Sequence, residues 1–248
     1  MPSTFVTTEV GSATARAGRP TNADSVATHR YPDDHGTVAV AVVDGTGSTP
    51  EAVTAAYLAA EVAARFGARY GAHRGVTAAS AMLANPSQDF PSPDGVIALA
   101  VATPGQPTRI AAVGDCVIYG VNGIDVRRLT APHTHGQRLR AAGQPDDVAR
   151  NHDHEVYLSI GRATEDTVTV TDTTDAVLAL LSDGITAALN HDQIAKVLRA
   201  NTTDADACAN ALVNAAVHAR PKGDNVTAAV IVIPASPTSH PLPDSATP

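Results

Sequence analysis

The stretch VAVAVVDGTGS, residues 38–48, decides how the rest of the chain is read. Six apolar residues, four of them β-branched, read as a buried strand. The run then stops on Asp44 followed by Gly45. A carboxylate at the end of a buried strand costs several kcal/mol unless something compensates its charge.

The pattern recurs three times. IAAVGDCVIYG places Asp115 at a Gly-Asp turn between two apolar runs, VLALLSDGIT ends on Asp183-Gly184, and KGDNVTAAVIVI places Asp224 at the mouth of the last long strand. One such pair is ordinary turn chemistry. Four, all against strongly apolar runs, ask for a common explanation. If the strand ends converge, the carboxylates repel one another, and bound cations relieve that repulsion. Ligands that are all oxygen select hard ions such as Mg²⁺ or Mn²⁺ over zinc. The adjacent glycines let the backbone approach, so that a carbonyl can serve as ligand too. His133, His135, His152 and His154 cluster around a polar segment, and no His pair has helical zinc-ligand spacing.

Outward from these motifs, the chain has 248 residues, enough for one large domain or two small ones, and no obvious internal repeat. With 25 acidic and 17 basic residues its net charge is −8, and no local basic cluster favours nucleic acid. Cys116 and Cys208 have no partner at metal-ligand spacing and read as small core residues. The N-terminus MPSTFVTTEV has no signal-peptide pattern, and no apolar run is long enough to span a membrane, so a cytoplasmic protein is expected.

Strands are predicted over residues 3–10, 25–29, 37–43, 95–103, 107–113, 117–121, 124–129, 167–171, 176–181 and 227–233, with hairpin turns at TPGQP and GVNGID. Helical spacing predicts a long alanine-rich helix over 51–74 opened by Pro50, and further helices over 77–83, 191–200 and 204–218. Residues 131–153 read as an irregular polar excursion with a little helix. The Pro/Ser-rich residues 235–248 read as a disordered tail, which leaves 1–234 as the domain. Adjacent strands with helices inserted as pairs define an α+β protein rather than a doubly wound sheet.

Taken in order, GRPTNADSV, AVVDGTGS, AAVGDCVIYGV with RRLTAPH after it, YLSIGRA, ALLSDGIT and KGDNVTAAVIVI resemble the motifs of type 2C metal-dependent Ser/Thr protein phosphatases, of bacterial catalytic-domain type. The resemblance spans residues 10–233. It implies a four-layer α-β-β-α sandwich of two antiparallel sheets flanked by helix pairs, with the metals at one end. Asp44 matches the carboxylate that bridges two Mg²⁺ or Mn²⁺ ions, and Gly45 the carbonyl that binds the second. Asp183 and Asp224 match the carboxylates that complete the first ion's shell, and Asp115 a ligand of a third, weaker ion. Arg19 matches the arginine that holds the substrate phosphate, and Asp24 an acidic residue that orders metal-bound water. The implied reaction is hydrolysis of phosphoserine and phosphothreonine in proteins by a water bridging two metals, in opposition to a Ser/Thr kinase. Residues 131–153 fall where the family has a mobile flap, which implies a role in substrate choice.

The chain departs from the family pattern at four places. Ala23 stands where Glu or Gln is usual, Thr46 where some members carry a histidine general acid, Ser48 where a glycine is common, and Ala187 where an acid often follows Asp183. These departures motivate an alternative: a degenerate module that binds a phosphoprotein or partner without turnover. Haloacid dehalogenase-like chemistry is excluded, because its nucleophilic aspartate would fall on Val42, which cannot attack phosphorus.

Overall fold

The computed structural model describes residues 7–32, 35–85 and 92–234. In chain order these form β1 (Glu9–Ala15), β2 (Asp24–Arg30), β3 (Val38–Gly45), α1 (Pro50–Tyr70), α2 (Ala72–Leu83), β4 (Gly95–Ala102), β5 (Thr108–Val113), β6 (Val117–Asn122), β7 (Asp125–Arg128), α3 (His135–Ala141), α4 (Asp146–Arg150), β8 (Thr169–Thr173), β9 (Val177–Leu181), α5 (Asp183–Ala188), α6 (His191–Ala200), α7 (Ala205–Ala219) and β10 (Val226–Val232). Two five-stranded sheets result, ordered β1-β10-β9-β6-β7 and β2-β3-β4-β5-β8, and every pairing is antiparallel. This is the expected α+β sandwich.

The alternation within β3 shows why the sheets stack as they do. Val38, Val40 and Val42 pack against Ile118, Leu178, Leu180 and Ile231 of the other sheet. The residues between them, Ala39, Ala41 and Val43, face α1 through Ala56, Ala59, Ala60 and Ala63. Alanine on both sides of that contact lets helix and sheet approach closely, and valine fills the wider gap between sheets. On the opposite side, α5, α6 and α7 cover Val117, Tyr119, Ala179, Leu181 and Val230. The outcome is four layers with three apolar seams between them, and strands such as β3 and β4 are buried on both faces.

Three boundaries differ from expectation for identifiable reasons. The long helix ends at Tyr70 rather than residue 74, because Gly71 takes φ +90 and the chain restarts as α2. The first strand is Glu9–Ala15, later than the expected 3–10, of which residues 3–6 lie outside the described residues. Its small residues suit α7 lying on it: a Cβ at Gly11 would sit 2.2 Å from the Asp206 nitrogen. The segment opening on Asp183 is a short helix rather than a turn. The expected tail, 235–248, also lies outside the described residues. Both predicted hairpins form, with Gly105 and Gly123 at positive φ in their turns.

Candidate active site

The strand ends carrying the aspartates meet at one end of the sandwich. In the β2–β3 ladder Asp24 lies directly opposite Asp44. Asp44 continues the face of Val38, Val40 and Val42, so its carboxylate lies at the rim of the seam between sheets. Asp183 follows β9 as the first residue of α5, and Asp224 precedes β10, which pairs with β9. Asp115 sits in the β5–β6 connection, after Gly114 at φ +89.

The mutual electrostatics confirm that they are neighbours. Burial pushes the Asp24 carboxyl up to about 6, opposed by hydrogen bonds from Thr227 and Ser182 and assisted by repulsion from Asp183 and Asp224. Asp44 is raised well above the ordinary carboxylate range, by burial first and then by the charges of Asp24 and Asp183. Asp44 and Asp183 lie close enough to share a proton through a hydrogen bond, which favours the charged form of Asp183 while burial and Asp224 oppose it. Burial, with help from Asp183 and Asp224, lifts Asp115 to about 7. One oxygen of Asp24 and one of Asp183 are buried with no hydrogen-bond partner.

These are marks of carboxylates arranged for something other than protein contacts. Buried acceptors without partners are costly, and a divalent cation is the partner that would satisfy several at once. Among the described residues, no group of three or more His, Cys, Asp or Glu side chains is placed so that it could hold a metal ion. Magnesium is commonly held by one or two carboxylates, with waters completing its octahedron, so a sparse donor set of this kind still fits the ion.

Arg19 stands at the edge of this group, its guanidinium paired with Asp224. Its loop is held by Asn225, whose side chain accepts from the Ala23 N–H at 2.8 Å and donates to the carbonyls of Arg16 at 3.0 Å and Thr21 at 2.9 Å. Within the loop Ala17 adopts φ +48, a left-handed conformation that costs alanine roughly 1–2 kcal/mol. The Gly18 N–H donates to the Gly223 carbonyl at 3.1 Å.

Several positioning residues carry no signal of their own in the sequence. Fully buried Ser182 donates from Oγ to Asp24 at 2.9 Å while accepting from the Thr227 N–H at 2.9 Å, so one hydroxyl ties β10 to β2. His133 accepts at Nδ1 from the Gly114 N–H at 3.0 Å, and its Nε2 meets Thr169 Oγ1 at 2.9 Å, fixing the turn before Asp115. Asn225 follows Asp224 directly in KGDNVTAAVIVI, and no local pattern marks its role.

The departures can now be located. Ala23 is buried, its carbonyl accepting from the Gly45 N–H at 3.1 Å. Ser48 offers its carbonyl to Thr21 Oγ1 at 2.9 Å and does not take positive φ, so nothing there demands glycine. Ala187 presents its carbonyl to Arg220 Nη1 at 3.0 Å.

No protein-family model matches the chain, and no curated protein sequence does either. Solved structures match closely in shape. The S. agalactiae serine/threonine phosphatase superposes with TM-score 0.77 at 22% identity, covering 92% of this chain and 100% of its own. The PPM Ser-Thr phosphatase MsPP from Mycobacterium smegmatis, solved in complex with cacodylate, gives TM-score 0.74 at 21% identity, covering 91% of this chain and 98% of its own. The catalytic domain of the phosphatase PstP, solved in complex with two manganese ions, gives TM-score 0.68 at 20% identity, covering 91% and 97%. The fold is therefore that of a metal-phosphatase class of α-β-β-α sandwiches. More narrowly, it is the fold of the bacterial PPM Ser/Thr phosphatases.

Proposed function

We propose that this chain is a metal-dependent phosphoprotein phosphatase that hydrolyses phosphoserine and phosphothreonine, its catalytic domain being residues 1–234. The observation that carries the reading is the convergence of five aspartates beside Arg19, with two buried carboxylate oxygens left without partners. Asp44, the Gly45 carbonyl, Asp183 and Asp224 would hold two Mg²⁺ or Mn²⁺ ions, as two manganese ions are held in the PstP structure, and Asp115 would serve a weaker third. Bound there, such ions supply an activated water at neutral pH and neutralise the phosphate's charge.

The chain's own groups do the rest. Arg19 offers a planar fork to a phosphate dianion, and it is available once Asp224 engages a cation instead of the guanidinium. Asp24, anchored through one oxygen by Ser182, keeps its other oxygen free to orient the attacking water. Thr46 is not an acid at neutral pH, so the leaving alkoxide takes its proton from water. The substrates are phosphoproteins modified by an opposing Ser/Thr kinase, and the setting is cytoplasmic. No described helix is long and apolar enough to cross a membrane.

The test is hydrolysis of an aryl phosphate and of phosphothreonine peptides with Mn²⁺ or Mg²⁺. Activity should vanish in EDTA and in Asp183→Ala or Asp44→Ala with metal in excess. Full activity in either variant, or in EDTA, refutes the reading. Ala23 and Ala187, both beside the carboxylates, favour a second reading: a module that binds without turnover. Tight metal binding by calorimetry, with no turnover on any phosphopeptide, would establish that alternative.

A further inference from the structure

Beside the aspartates a cleft of about 310 Å³ opens, its walls including Arg19, Asp183, Asp224, Arg220 and Lys222. In a chain of net charge −8 with only two lysines, three cations line this one cleft against its two carboxylates. Arg19 is paired with Asp224, but the other two are uncommitted. Among the described residues Arg220 has no carboxylate partner, and its contact is the hydrogen bond from Nη1 to the Ala187 carbonyl. Lys222 likewise has no ion pair among them.

Both are presented by a rigid turn. Pro221 fixes φ between them, and the Gly223 N–H closes back on the Arg220 carbonyl at 2.9 Å. The turn is clamped to the Arg19 loop through the Gly18–Gly223 bond. It also lies against Gly18 itself, where a Cβ would come within 2.6 Å of the Lys222 backbone. The turn fixes where both side chains leave the backbone, so little backbone entropy is lost when an anion arrives. A cavity of this volume, at the lower end for small ligands, suits one side chain rather than a whole cofactor.

We propose that Arg220 and Lys222 form a second anion subsite, which takes an anionic side chain next to the phosphoresidue being hydrolysed and so sets substrate preference. The anion is either the carboxylate of an acidic residue or a second phosphoryl group on the same peptide. The proposal rests on the phosphatase reading for its register, since Arg19 and the aspartates define where the first phosphate lies.

The experiment uses three fluorescein-labelled phosphothreonine peptides that differ only in the neighbouring residue: alanine, glutamate or phosphoserine. Binding is read by anisotropy and turnover by Mn²⁺-dependent phosphate release. Wild type should bind at least one anionic peptide about fivefold more tightly than the alanine peptide, a preference that fades in 0.5 M salt (about a 4 Å screening length). Arg220→Gln and Lys222→Gln should each lose most of that preference, and Arg220→Lys should keep part of it. Lys222 makes no side-chain hydrogen bond, so its variant reads the subsite even if Arg220→Gln disturbs folding. A gain confined to the phosphoserine peptide identifies the anion as a second phosphate, and a gain for both shows that charge alone is read. Equal binding of all three peptides by wild type, or an unchanged preference in both Gln variants, overturns the subsite. Absence of phosphate release from every peptide would sink the phosphatase reading, while anisotropy would still decide the subsite.

Discussion

Asparagine at position 115 should make the metal-free protein more stable at neutral pH, against the usual outcome of altering a buried group. The Asp115 carboxyl rises from 3.8 to about 7, driven by burial and by the charges of Asp183 and Asp224. A raised acid binds its proton more tightly in the folded state, so its contribution is fully present below pH 3.8 and is lost as pH climbs through about 7. The shift is roughly 3 units, or about 4 kcal/mol at 1.36 kcal/mol per unit, of which about 3 kcal/mol falls between pH 5 and pH 8. Protonation of the neighbouring aspartates relieves part of the repulsion, so about 2 kcal/mol is the expected observable. Urea unfolding in EDTA, across that range, for wild type and Asp115→Asn gives the difference directly. Burial pulls the His133 pKa down, which gives the opposite pH trend, but it is present in both proteins and largely cancels. The variant should gain on wild type steadily as pH rises, and excess Mn²⁺ should narrow the gap only by as much as Asp115 adds to the folded wild type's affinity for the ion. A difference that is flat with pH, or a variant less stable at pH 8, would refute the claim that these carboxylates are crowded.

Two further substitutions probe the supports of the site. Ser182→Ala leaves the Thr227 N–H without its partner and removes one hydrogen bond to Asp24 in a fully buried position, and urea unfolding should show a loss of about 1–3 kcal/mol; under about 0.5 kcal/mol would mean that the hydroxyl is dispensable. Asn225→Ala removes three hydrogen bonds that hold the Arg19 loop, so KM for a phosphopeptide should rise by more than kcat falls, and a pure kcat effect would contradict the positioning role.

The apolar stretches made the fold readable and the aspartates made the site readable, but for different reasons. In VAVAVV the valine–alanine alternation already encodes two different neighbours, a sheet and an alanine-rich helix, and the structure places them so. The break at Gly71 was hidden because alanine and helix-compatible residues run on past it, and only its backbone conformation separates α1 from α2. Strand β1 starts later than its sequence suggests because Gly11, Ser12 and Ala13 have poor strand propensity, and Gly11 and Ala13 suit the closeness of α7. At the site, motif spacing pointed to Asp44, Asp115, Asp183 and Asp224, but the pairing of Asp24 with Asp44 follows from strand register, a long-range property. Ser182, His133, Arg220 and Lys222 act through contacts with residues distant in sequence, and no local pattern marks such contacts in advance.

Among the described residues, five carboxylates at one end of the sandwich face a single directly paired guanidinium, that of Arg19, and no packing contact requires them there. The three apolar seams would close as well over neutral residues, and replacing buried charge by packed apolar groups is often stabilising. The cluster therefore reduces the stability of a metal-free fold. A divalent cation offsets that cost because it converts mutual repulsion into shared attraction. Val38 to Val43 supply the burial that makes the strand rigid, and that same burial raises the cost of charge on Asp44, a cost that a bound cation would offset. An anion arriving at that end meets Arg19 and the Arg220–Lys222 turn beside the carboxylates, and a cation held there would add to the attraction.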